Sequence, residues 1–230
     1  MQHRLSMLLG ALALCAGSAA QAAIVHLEGT TVDFYYDDAQ PGMAAYGTLS
    51  VIGDSIFALP TTFIAESLNG TGDSFSALGT VQVVLKSGYR FDSVQVAQRG
   101  DYLLDGAGAS VSVSGDLTIE DSSNPATVLT TTMSSGSDFT INDNALHAWS
   151  SSGAFDVSSW TTVTSVDLSL DTMLFANTGA AGERAYIENK LTGGGLVTIM
   201  TTPIPVPAAV WLFGSGLIAL TGFARSSRNG

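Results

Sequence analysis

Oxygen-bearing side chains crowd two short stretches of this 230-residue chain. Asp101 and Asp105 come just before Gly106 and Gly108, and Asp138, Asn142, Asp143 and Asn144 follow further on. Calcium takes carboxylate and amide oxygens from flexible loops. Asp101, Asp105, Asp138, Asn142 and Asp143 are therefore the candidate metal ligands, and calcium is the one cofactor in view. Neither stretch keeps the Asp-x-Asp-x-Asp-Gly spacing of an EF-hand loop, and turns need Asp, Asn and Gly for their own geometry. Asp37-Asp38 repeats the pattern on a smaller scale. A carboxylate pair for glycoside hydrolysis would have to converge across the fold, which linear spacing does not display.

Other reactive groups are sparse. His26 and His147 are the histidines after residue 22, and neither has a second one at metal-ligand spacing. His26 alternates with Val25 and Leu27, as an imidazole at the surface or rim of a strand would. No Gly-x-Ser-x-Gly nucleophile elbow occurs. The one cysteine, Cys15, lies in the N-terminal segment. The expectation is a protein that is not an enzyme. Tyr35, Tyr36, Trp149 and Trp160 are candidates for stacking on sugars, although large aromatics are more often core. Arg99-Gly100-Asp101 spells an adhesion tripeptide, which three residues do readily by chance, and is assigned no role.

The elements that must position these groups repeat with a period of two. In Ser165-Val166-Asp167-Leu168-Ser169-Leu170 the apolar residues face one side and the polar ones the other, the pattern of a half-buried strand. Ser93–Val96 and Ser110–Ser114 alternate in the same way. So, less regularly, do Thr31–Tyr36, Gly47–Ile52, Thr80–Lys86, Leu117–Glu120, Thr127–Met133, Arg184–Lys190 and Leu196–Thr201. Val81–Leu85 is denser in apolar residues and predicts a central strand covered on both faces. Turn residues fill the gaps, among them Pro41-Gly42, Asn69–Gly72, Ser87-Gly88, Asp105-Gly106, Ser122–Pro125 and Gly193–Gly195. Short strands with turns at this frequency predict an all-β domain over residues 23–202, an antiparallel β-sandwich of jelly-roll or Ig-like type. Phe63–Leu68 is the only stretch expected to form a short helix, and Glu183–Lys190 with Gly193–Thr201 reads as a closing hairpin.

Charge narrows the partners. Residues 23–202 hold all 20 acidic residues, against five basic ones, Lys86, Arg90, Arg99, Arg184 and Lys190. So negative a body repels nucleic acid and anionic lipid and favours solubility or divalent cations.

Both ends read as addresses. Met1–Ala22 has a short basic start with Arg4, an apolar run, and Ala20-Gln21-Ala22 as an A-x-A site. This predicts a signal peptide over residues 1–22, export by the Sec machinery and cleavage between Ala22 and Ala23. Residues 203–230 combine Pro203, Pro205 and Pro207, an uncharged run of 17 residues from Ala208 to Ala224, and Arg225 and Arg228. A spanning helix needs about 20 apolar residues, with a lower limit near 17, so a transmembrane helix is expected over about 208–224. Flanking arginines hold that end in the cytoplasm. Pro205-Val206-Pro207-Ala208-Ala209, the run that follows, and Arg225 with Arg228 resemble a PEP-CTERM sorting signal of the VPxPA-like type. Val206 stands where the eponymous motif has glutamate. The resemblance implies recognition by an exosortase-like membrane protease, cleavage near the Pro motif, and export linked to extracellular polysaccharide. The expected course is an inner-membrane intermediate, then the cell surface or extracellular matrix. A carbohydrate- or calcium-binding module is the alternative function.

Overall fold

The computed structural model describes residues 23–136, 138–190, 196–205 and Phe213. In order these form β1 (Ile24–Glu28), β2 (Val32–Asp37), α1 (Pro41–Tyr46), β3 (Leu49–Ile52), β4 (Ser55–Ala58), β5 (Ile64–Leu68), β6 (Gly72–Leu85), β7 (Tyr89–Asp105), β8 (Ser110–Asp121), β9 (Asn124–Thr132), β10 (Ser134–Ser135), β11 (His147–Asp156), β12 (Ser165–Asn177), β13 (Arg184–Asn189) and β14 (Val197–Pro203). Every strand pair is antiparallel. One sheet runs β1-β2-β6-β12-β8-β9; the other runs β10-β11-β7-β14-β4-β3, with β13 and then β5 also attached to β7. Both contribute to one apolar core. The arrangement is the all-β, β-sandwich-like one that the period of two predicts.

Alternation drives the layering. In β12, Val166, Leu168, Leu170, Thr172, Leu174 and Ala176 are buried, while Asp167, Ser169 and Asp171 point away. Burying a side chain of Val, Leu or Phe size contributes about 1.5–3 kcal/mol, and β6, β7 and β8 repeat the pattern. β6 is covered on one face only, because Thr80, Gln82 and Val84 on its other face are half-exposed. Ser110–Ser114 and Leu117–Glu120 prove to be a single strand, β8. Gly115 between them is not a turn residue: a Cβ there would lie 2.3 Å from the Asp171 carbonyl of β12. Close backbone approach, not chain reversal, requires glycine at that point.

Two further expectations are corrected. Phe63–Leu68 is not helical; it contains β5, which buries Ala65 and Ser67 and leaves Leu68 exposed. The helix lies instead at α1, where Pro41 occupies the first turn that tolerates proline. Nor do β13 and β14 form a hairpin. Both pair with β7, β13 along residues 100–105 and β14 along 89–96, so they lie end to end on one edge of it. Among the described residues no helix is long and apolar enough to cross a membrane. Ala20, Ala22, Val206, Pro207, Ala208, Ala209, Arg225 and Arg228 lie outside the described residues, as does the expected 208–224 helix except Phe213; Ala23 and Pro205 are exposed.

One polar seam crosses the apolar interior. Gln98 Nε2 on β7 donates to Thr172 Oγ1 on β12 at 2.6 Å, and the Tyr46 hydroxyl of α1 lies 3.3 Å from the same oxygen and 3.2 Å from the Leu170 carbonyl. Burial raises the Tyr46 pKa, so the phenol stays neutral. Buried donors without acceptors cost about 1–3 kcal/mol. Thr172→Val is therefore expected to lower the free energy of unfolding by that amount in denaturant titration. Adding Gln98→Leu should recover part of the loss, because the orphaned amide is removed as well.

Candidate functional site

The outer face of the six-stranded sheet is built by register. His26 opposes Tyr35, Tyr35 opposes Gln82, Gln82 opposes Asp167, and Asp167 opposes Glu120, so one row crosses β1, β2, β6, β12 and β8. Directly opposed residues share a face. The neighbouring row holds Thr80, Ser169 and Thr118, and the Thr80 and Ser169 hydroxyl oxygens are 3.1 Å apart. Over these rows lies an open depression lined by Tyr35, Asp37, Gln40, Thr80, Gln82 and Asp167, among others. Its wall is the turn leading into α1, fixed by the Ala39 N–H donating to Asp37 Oδ1 at 2.9 Å. The Tyr35 ring stacks on the imidazole of His26, with ring centres 4.7 Å apart and planes 9° from parallel. A flat ring beside a carboxamide, carboxylates and hydroxyls can hold a hydroxyl-rich ligand: the ring meets C–H faces, and the polar groups exchange hydrogen bonds with hydroxyls.

The four aromatics named from the sequence part company. Tyr36 and Trp149 are core, Trp160 packs partly buried against it, and Tyr35 lines the depression. Gln40, Thr80, Gln82 and Asp167 carry no local signal. They meet because β2, β6 and β12 are neighbours although distant in the chain.

The predicted calcium ligands are largely engaged by the protein itself. Asp101 Oδ2 accepts from Lys190 Nζ at 2.7 Å, and Lys190 also pairs with Glu188; these bonds raise the lysine pKa. Asp143 Oδ1 lies 2.8 Å from His147 Nε2, a contact that lowers its pKa, and accepts the Ala145 N–H at 3.0 Å. Asn142 Nδ2 donates to the Gly106 carbonyl at 2.7 Å, which brings the second oxygen-rich stretch against the turn after Asp105. Asp138 is exposed. Among the described residues no three His, Cys, Asp or Glu side chains gather where they could hold a metal ion. Arg99-Gly100-Asp101 sits inside β7, not in a turn. There the Trp149 Nε1–H of β11 donates to the Glu188 carbonyl of β13 at 2.9 Å, and a Cβ on Gly100 would lie 2.7 Å from that nitrogen and 1.8 Å from that oxygen.

No protein-family model matches the chain, and no curated protein matches it. Among solved structures it is similar to the structure of infectious bursal disease virus Gx strain, with a TM-score of 0.23 and 13% identity over 71% of this chain and 46% of that one. The chain thus spans less than half the length of that protein, and a likeness at this level carries no argument.

One end of the domain is knotted by a carboxylate. Glu183 Oε1 accepts the Gly108 N–H at 2.7 Å, while Oε2 accepts those of Gly179 and Ala180 at 2.7 and 2.9 Å. The Asn69 N–H donates to the Glu183 carbonyl at 3.0 Å, and Asn69 Oδ1 accepts from Gly182. The backbone donors hold the Glu183 pKa below its ordinary value. A carboxylate whose pKa is lower folded than unfolded stabilises the fold above its unfolded pKa, and that contribution is lost as pH falls through the folded one. Glu183→Gln is expected to be less stable at pH 7 and to lose less stability than the parent between about pH 5 and pH 3. Thermal unfolding followed by circular dichroism across that range measures both.

Proposed function

We propose that this chain is an exported, non-enzymatic protein of the cell surface or extracellular matrix, delivered by its N-terminal signal and sorted through its C-terminal tail. The observation that carries the reading is the junction between body and tail. β14 ends at Pro203, the Ile204 N–H donates to the Gly88 carbonyl at 2.8 Å, and Pro203, Ile204 and Pro205 are exposed. The last strand thus ends at the first of the tail's prolines in sequence, and proline-rich segments are stiff and extended. An exosortase-like protease would meet an accessible peptide held close to the bilayer by the expected helix. Mass spectrometry of both ends of the protein recovered outside the cell should find Ala23 as the first residue and a C-terminus near Pro205–Ala209. A full-length chain in the cytoplasmic fraction would refute the proposal.

A second reading concerns what the exported body holds, and the depression over Tyr35 favours it: extracellular polysaccharide bound on the outer face of the six-stranded sheet. The flat Tyr35 ring and the carboxamide of Gln82 beside it support a neutral glycan. The acidic surface argues against an anionic one. Tyr35→Ala should weaken binding of a neutral matrix polysaccharide about tenfold, equivalent to ~1.4 kcal/mol, in titration calorimetry with the melting curve unchanged. Equal heats from parent and variant would remove the site from consideration.

A further inference from the structure

Sheet edges usually carry a device against association: charge, proline, a bulge or short length. Four edges here have one. β1 bears His26 and Glu28, β5 bears Glu66 paired with Arg184 at 2.8 Å, β3 has 4 residues and β10 has 2. β9 differs. It ends the six-stranded sheet, runs for 9 residues, and exposes Val128 and Leu129. From Ser122 to Ser137 the sequence has no charged residue, in a body where carboxylates outnumber cations four to one. Beyond Pro125 the strand is Ala-Thr-Val-Leu-Thr-Thr-Thr, rich in β-branched residues that suit strand pairing.

We propose that β9 pairs antiparallel with β9 of a second copy of this chain, joining two six-stranded sheets into one continuous sheet. A two-fold axis near Leu129 sets Val128 against Thr130 and Thr127 against Thr131 of the other copy, so no charge opposes a charge. Self-pairing is the occupant the charge pattern favours. Two bodies this acidic repel, and the charge-free edge is where they approach at least cost. The nearest carboxylates on the strand behind, Asp116, Glu120 and Asp121 of β8, stand one strand back in each copy. The two β8 strands are then three spacings apart, about 14 Å, beyond the ~8 Å screening length of physiological salt. Association should accordingly weaken as salt is removed.

Sedimentation of the exported protein over about 1–100 μM tests this. The expected result is a monomer–dimer equilibrium. Val128→Lys and Thr130→Lys, which add charge to the outer side of the strand without touching the core, should each weaken dimerisation at least tenfold and leave the melting midpoint of the monomer unchanged. Ile24→Lys on the opposite edge, β1, should leave the dimer intact. A parent that stays monomeric throughout, or a dimer that survives both β9 lysines, overturns the proposal; the latter result would assign association to another surface.

Discussion

Backbone pairing along both edges of β7 is the constraint on which the rest of the second sheet depends. This strand of 17 residues takes β11 along one edge, and β13 followed by β14 along the other. The Lys190 N–H donates to the Arg99 carbonyl and the Ala97 N–H to the Leu196 carbonyl, so Lys190 and Leu196 both sit on the same edge of β7. β13 and β14 are thereby one interrupted strand. The inward face of β7, with Phe91, Val94, Val96, Tyr102 and Leu104, supplies much of the second sheet's share of the core. Gln98 on the same face makes the side-chain bond to β12 that ties one sheet to the other. Gly100 lets Trp149 reach across β7 to β13, locking three strands with one indole N–H.

That constraint has a consequence at each end of the domain. At one end β14 finishes beside Gly88, whose carbonyl accepts the Ile204 N–H. At the other, β7 ends in the Asp105–Gly106 turn, where Asn142 attaches and where Glu183 gathers the N–H groups of Gly108, Gly179 and Ala180. The first sheet lies across the core from β7 and is free to present its outer face. Its row of His26, Tyr35, Gln82, Asp167 and Glu120 needs only register and alternation to form.

How much was legible in the sequence follows from whether the deciding contact was local. Alternation is local, and it located β1–β3, β6–β9 and β12–β14 at least in part, because each residue's face depends only on its neighbours; β4, β10 and β11 were not assigned from it. β5 misled for a definite reason: the small Ala65 and Ser67 are buried while the larger Leu68 is turned out, opposite to the usual sorting by hydrophobicity. Pro41-Gly42 reads as a turn, yet proline also starts helices, and the burial of Met43 and Tyr46 decides for α1. Gly193–Gly195 signals a reversal, but β14's partner on β7 lies about a hundred residues back, beyond the reach of any local rule. The depression was invisible for the same reason. Tyr35 was singled out as an aromatic, whereas Gln82 and Asp167 acquire meaning only once β2, β6 and β12 are known to be adjacent. The carboxylates of Asp101 and Asp143 were visible as oxygen ligands, but their partners, Lys190 and His147, were not.

The alignment of β13 and β14 on β7 is open to one direct measurement. In a Cys15→Ala background, cysteines are placed at Val96 and Val197, which oppose each other across β7 and β14. A second variant carries them at Asn189 and Val197, which would face each other in a hairpin. Opposed residues of antiparallel strands have Cα atoms about 4.5–5.5 Å apart, within disulfide reach. Under mild oxidation the first pair is predicted to close quantitatively and the second to remain as free thiols by alkylation and mass spectrometry. Closure of the second pair with free thiols in the first would contradict the shared edge, and with it the place of β14 beside Gly88.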